Sequence, residues 1–336
     1  GDPDDITIGG HSSGSNNMTC LLMMPEARPY FKKALCQASF SCDISLESRE
    51  TAKKVSSAFF EVLGVKTVSE LLKCPESVIN DAAERFMKGM MTGEIRVEGM
   101  ENKLFSPVID DVVLKEGCFE EMASGGLEDK VLMFGCNSGE YDQQFERFTG
   151  ENRAEDAWAF TVKENFGKLS SYGWNKEHAE DVMREYRSHS VLYGRDDYTA
   201  AKDMKTDLFM RAPGVAFALA SSDRNRVYMY FCDWSIDKKN GKRAHHGSEN
   251  DIVARRWENV PENEQETAEK LSRIFSNFIL RGTPEYTDAP FSVNTFNREI
   301  METLYIDENP RSVQGVRRED LETVLPLLRE YPCLGL

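Results

Sequence analysis

Apolar positions along the chain fall into two periods. Short β-branched or apolar runs at Ile6-Thr7-Ile8, Ala34–Ala38, Val131–Phe134, Val227–Phe231 and Thr303–Ile306 predict strands. Between them, Ala52, Val55, Phe59, Val62 and Leu63 recur at helical spacing, as do Leu271, Ile274, Phe275, Phe278 and Ile279. The second helix is predicted to stop at Gly282, with Arg281 in its last turn and Pro284 just beyond. Short strands alternating with helices predict an α/β fold with a mainly parallel sheet and helices on both of its faces. The stretch at about 150–222 is polar, aromatic-rich and helical in pattern, with no strand signal. It reads as a helical insertion at the carboxyl edge of the sheet, where substrate pockets form. With neither an internal repeat nor a low-complexity linker, residues 1–336 read as one domain carrying that insertion.

Composition narrows the function classes. The chain has 336 residues, 40% hydrophobic and 29% charged, enough to bury a sizeable core. Its 57 acidic and 41 basic residues leave a net charge of −16, a field that repels phosphate backbones, so nucleic acid is not an expected partner. No apolar run is long enough to span a membrane. The eight cysteines form no C-x-x-C pair, so no zinc site is expected, and several sit in apolar runs as small core residues. No cofactor is expected. The one N-x-S/T sequon, at Asn17, falls where a helix should start; its structural reading slightly favours a cytoplasmic protein.

Candidate chemistry starts at Gly10-His11-Ser12-Ser13-Gly14, a G-x-S-x-G pattern that follows a β-branched run and precedes an apolar one. This is the turn that exposes a nucleophilic serine between a strand and a helix. Such a serine needs a base, and the base needs an acid to fix its tautomer. Of the five histidines, His178 and His189 lie in the charged insertion and read as solvated. His11 adjoins the serine, with its side chain expected to point elsewhere. Ala244-His245-His246-Gly247-Ser248-Glu249 remains, after a strong strand and a lysine-rich loop. The acid should lie between serine and histidine, past Val131–Phe134, where Glu140 or the nearby Asp142 can reach inward. The aromatics Trp158, Phe166, Tyr172 and Trp174 could line a pocket but read first as core.

Taken together, these residues resemble the type-B carboxylesterases, the family of cholinesterases and bacterial para-nitrobenzyl esterases. Gly1-Asp2-Pro3 ahead of the serine turn resembles the family's G-D-P segment before its G-E-S-A-G elbow. Phe31–Ser39 is similar to F-x-x-A-I-x-Q-S-G, Phe105–Asp111 to F-x-P-V-V-D-G, and Gly135–Glu140 to the G-x-x-x-x-E acid turn. Asp207, Phe209, Pro213 and Val227–Phe231 match the helix and strand before the histidine. Ala244–Glu249 resembles A-x-H-G-x-E, and Ile274–Gly282 resembles W-x-N-F-A-x-x-G.

The resemblance implies an α/β-hydrolase fold and a serine carboxylesterase acting on a small-molecule carboxylic ester. Ser12 would be the nucleophile, His246 the base and Glu140 the triad acid, with the Ser13 backbone N–H donating to the oxyanion. His11 stands where the family usually has glutamate, and a neutral imidazole does not favour a charged histidine as a carboxylate does. Family members also carry a long segment ahead of the G-D-P stretch, including an H-G-G-type loop that supplies the other oxyanion donors. The sequence holds no such loop. It is therefore expected to be the carboxyl-terminal part of an esterase, crippled without that loop, with a separate amino-terminal chain or a second copy as conceivable partners. A non-catalytic cholinesterase-like binding protein and a degraded, inactive esterase are the rival readings. Retention of all three triad candidates places the enzyme ahead of the binding protein, while a degraded esterase would retain them by inertia.

Overall fold

The computed structural model describes residues 1–38, 47–97, 107–117, 121–122, 127, 129–171 and 176–327. Ser39, Cys42, Phe105, Ser106, Cys118, Tyr172, Trp174 and Cys333, singled out from the sequence, lie outside the described residues, as do the side chains of Phe166 and His178. The chain divides into two compact units, one of Gly1–Cys42 and Phe119–Leu336, the other of Asp43–Cys118.

In the larger unit six strands form one sheet: β1 (Thr7–His11), β2 (Lys33–Gln37), β3 (Val131–Asn137), β4 (Arg226–Cys232), β5 (Glu302–Ile306) and β6 (Arg311–Gln314). They lie in sequence order, parallel from β1 to β5, with β6 antiparallel at the edge. Five of the six are the predicted strands, with ends that move by one to three residues: Ile6 and Ala38 fall outside, and the others extend. β6 is new: only Val313 in it is apolar, so it carries no pattern to read.

The main helices are α1 (Ser13–Met23), α2 (Arg49–Leu63), α3 (Glu76–Thr92), α4 (Arg153–Ser171), α5 (Lys176–Ser188), α6 (Asp197–Thr206), α7 (Ala212–Ser221), α8 (Gln265–Arg281) and α9 (Arg318–Val324). β3 and β4 are buried along almost their whole length because helices cover both faces, as parallel strands require. On one face, alternate residues Met133, Tyr230 and Leu304 pack with Leu271, Ile274, Phe275 and Phe278 of α8. The strand period of two thus meets the helix period of 3.6. On the other face Phe134 meets Phe217 of α7 edge-on, ring centroids 5.4 Å apart. Glycine at 135 is required on the α8 face, because a Cβ would enter the ring of Tyr230 on the neighbouring strand. α8 ends as its sequence predicts: Gly282 takes φ +71° and its N–H donates to the Phe278 carbonyl.

The smaller unit pairs Glu47–Ser48 with Val108–Ile109 in parallel and packs α2 on α3. Phe59 and Phe86 meet edge-on at 5.7 Å, with Val55, Ala82 and Val97 around them. The sequence reading does not separate this unit, since two-residue strands are too short to show a period. Among the described residues no helix is long and apolar enough to cross a membrane.

α4 to α7 occupy the region read as an insertion, joined by a π-helical stretch at Asp207–Arg211. Trp158 is core there. His189 corrects its expectation: it is mostly buried, with Nδ1 3.1 Å from Asp320 Oδ1 rather than solvated. Cys36, Cys136 and Cys232 are buried free thiols, as core residues should be.

Candidate active site

Strand order brings the candidate residues to one edge. β1, β2, β3 and β4 run parallel, and Ser12, Glu140 and His246 all follow the carboxyl ends of their strands. That is where open α/β sheets bind ligands.

Ser12 is the residue between β1 and α1. Its backbone is at φ 55°, ψ −119°, a sparsely populated region for a residue with a side chain. Holding it there costs on the order of 1–3 kcal/mol, which the surroundings must offset. Two main-chain bonds fix it: Ser12 N–H donates to the Gln37 carbonyl at 3.0 Å, and the Ser12 carbonyl accepts from Asn16 N–H at 3.1 Å. Gly10 makes the turn possible, because a Cβ at that position would collide with the Gly14 carbonyl. Ser13 opens α1, whose first N–H groups have no acceptor within the helix.

Glu140 lies just past β3 with its side chain wholly buried. One oxygen accepts the Asn137 backbone N–H at 2.6 Å, and the other is 2.6 Å from His246 Nδ1. The hydrogen bond to Glu140 pushes His246 above its ordinary value, against its burial. The turn carrying Glu140 is tied to the histidine loop by main chain as well. Gly139 N–H donates to the Ala244 carbonyl at 2.8 Å, and Asn137 Nδ2 donates to the His245 carbonyl at 3.0 Å.

The two histidines of the loop part company here. His246 faces Glu140, while His245 turns its Nδ1 to the Ser248 hydroxyl at 3.0 Å. Asp142, the other carboxylate near the turn, meets Lys202 and Arg243 instead of either histidine.

His11 corrects its expectation. Its ring does not point away but lies against His246, centroids 4.5 Å apart and tilted 45°. Burial, and then the neighbouring charge on His246, push His11 down to about 4, so it is neutral across the physiological range. Its Nε2 is buried and has no hydrogen-bond partner.

Two further residues, Glu249 and Asn137, complete the surroundings of the acid. Glu249 is fully buried, its Oε1 3.3 Å from the Tyr230 hydroxyl and its Oε2 bonded by Asn137 Nδ2. Burial first and the Glu140 charge second push its carboxyl upward. Asn137 thereby serves both acids, through its backbone N–H to Glu140 and its side chain to Glu249. Only the A-x-H-G-x-E pattern hinted at Glu249, and nothing local marks Asn137.

The Carboxylesterase family matches residues 1–324. Similar curated proteins include the para-nitrobenzyl esterase of Bacillus subtilis, 27% identical over 320 residues, covering 91% of this chain and 59% of that one. Carboxylesterase 1C of Rattus norvegicus is 23% identical over 358 residues, covering 99% of this chain and 60% of the other. Among solved structures, a PNB esterase superposes with a TM-score of 0.70 at 25% identity, covering 96% of this chain and 64% of that one. A Geobacillus stearothermophilus carboxylesterase superposes at 0.73 and 20% identity over the same shares, a likeness of fold. The chain thus spans about three fifths of the length of these relatives.

Proposed function

Because the chain belongs to the carboxylesterase family, we propose that it contributes the catalytic triad of a carboxylic ester hydrolase, with Ser12 as nucleophile, His246 as base and Glu140 as acid. The observation that carries this reading is the 2.6 Å contact between Glu140 and His246, at the same sheet edge as a serine held in a strained strand-to-helix turn. With Nδ1–H directed at Glu140, the His246 ring presents Nε2 as the basic nitrogen.

In the proposed reaction His246 Nε2 takes the Ser12 hydroxyl proton as Oγ attacks the ester carbonyl. The tetrahedral oxyanion accepts a hydrogen bond from Ser13 N–H. The imidazolium returns the proton to the departing alkoxide, leaving an acyl-serine and an alcohol. Water, deprotonated by His246 in turn, releases the acid and restores Ser12. Ser13 is the one oxyanion donor this reading assigns. A missing donor typically costs about 100- to 1,000-fold in rate, so slow hydrolysis is expected from these 336 residues alone.

A fluorophosphonate probe tests the assignment. It should attach to Ser12, and His246→Ala should abolish the labelling. A folded protein that takes no label at Ser12 sinks the triad and favours a binding role for the same fold.

A further inference from the structure

Arg243 and Asp142 are not in the triad, yet they sit where its two loops cross. Asp142 lies two residues after Glu140, and Arg243 three residues before His246. The guanidinium grips the carboxylate with two bonds, Nε to Oδ2 at 3.0 Å and Nη2 to Oδ1 at 2.6 Å. The pair is mostly buried, with 23% of the arginine side chain and 16% of the aspartate side chain exposed. The crossing is tight: a Cβ on Gly139 would sit 2.9 Å from the Asp142 carboxyl carbon and 3.1 Å from Arg243 Cβ. From this geometry we propose that the Arg243–Asp142 fork positions Glu140 against His246, a role that rests on the triad reading above.

The fork is anchored from a third side. Lys202 of α6 reaches Asp142 at 2.9 Å, and Arg243 Nη1 binds Asp203 of the same helix. Asp203 in turn pairs with Arg195 at 3.0 Å and with Arg317 at 2.8 Å, and both arginines also hold Asp320. The histidine loop is thereby tied to a buried charge cluster in α6 and α9. An arginine fork is directional, unlike a lysine point charge, so it can hold a register between two loops. Around His246 itself the titratable groups are Glu140, Glu249 and His11.

The sign of one shift separates positioning from mere charge. Arg243→Met removes a cation, which by direct electrostatics would raise the pH at which His246 titrates. If the fork holds Glu140 in place, its loss weakens the Glu140 contact and lowers that pH instead. On the full chain, Arg243→Met and Asp142→Asn are expected to move the NMR-detected titration of His246 down by about one unit. The same variants should slow fluorophosphonate labelling of Ser12 about 10- to 100-fold. Asp320→Asn, which disturbs the cluster away from the fork, should lower the melting temperature and leave the His246 titration in place. Asp142→Asn removes an anion and lowers the titration by charge alone, so Arg243→Gln, a polar replacement, carries the sign test where Arg243→Met does not fold. An unmoved or raised His246 titration in Arg243→Met or Arg243→Gln, or an equal shift in Asp320→Asn, overturns the proposal. A wild-type chain that takes no label refutes the triad alone, because the His246 titration needs no reaction.

Discussion

Replacing Glu140 by glutamine keeps the shape of the site and changes one property of it. The carboxylate accepts two hydrogen bonds, from Asn137 N–H and from His246 Nδ1, both at 2.6 Å. A glutamine can keep the first through its carbonyl oxygen, but its amide then faces His246 as a donor. The ring must respond by presenting Nδ1 as an acceptor, which puts the proton on Nε2 and removes the base from the serine side. An equivalent tautomer error in a triad costs about 10⁴-fold in rate, or about 5.5 kcal/mol of transition-state stabilisation. Stability should change far less. The lost charge-assisted bonds, about 1.5–3 kcal/mol each, are opposed by relief of a fully buried charge and of its repulsion with Glu249. The assay is the second-order rate of fluorophosphonate labelling at Ser12, with ring nitrogen shifts of His246 reporting the tautomer and its titration. The titration should fall below the wild-type position, since the push from Glu140 is gone and burial remains. Labelling within tenfold of wild type, with a folded protein, would refute the role given to Glu140.

Gly10→Ala drives a Cβ into the Gly14 carbonyl at the start of α1. It should lower stability by about 1–3 kcal/mol and abolish Ser12 labelling, since the turn must open to admit the methyl group; a chemical denaturation curve and a labelling assay read both. His11→Gln tests the neutral imidazole. The folded His11 binds its proton at about 4 against about 6.5 unfolded, so the unfolded state holds more protons in that window. Stability therefore falls as pH drops from 6.5 towards 4, by about 1–2 kcal/mol after discounting for a half-exposed ring. The glutamine variant should lack that slope, and an equal wild-type-minus-variant difference at pH 7 and pH 5 would count against it.

What the sequence reveals here follows burial and distance. β3 and β4 are legible because both faces are covered, leaving continuous apolar runs. α8 is legible because its buried stripe and its glycine stop agree. β6 is not, since an edge strand with one apolar residue needs only a neighbour to pair with. Ser12 announces itself by its flanking glycines, of which the turn demands Gly10. Glu140 and His246 are 106 residues apart and gain their meaning from contact, so only the order of the motifs pointed to them. His11, Asn137 and Arg243 carry no local signal at all: their partners His246, Glu249 and Asp142 lie far from them in sequence. The same holds for His189, whose charged neighbourhood in sequence suggested solvent, while the fold sets it on the buried Asp320.

The charges around His246 form a consistent set. Glu140 meets Asn137 N–H and His246 Nδ1 and is wholly buried, so it is the carboxyl group that faces the imidazole at short range. Glu249, equally buried, is pushed toward its neutral form by that burial and by Glu140. His11 is pushed toward its neutral form by burial and by His246. A protonated His246 therefore meets one close anion, with a second carboxyl held in reserve behind Asn137. A glutamate in place of His11 would bring a third carboxyl to the same ring, and three acids around one imidazole repel each other at low dielectric. With histidine there, the ring fills the same side of the site without adding charge, and Glu249 is spared one further source of repulsion. The net charge of −16 does not set this balance, because exposed carboxylates beyond about 10 Å are screened by salt while the buried Glu140 is not.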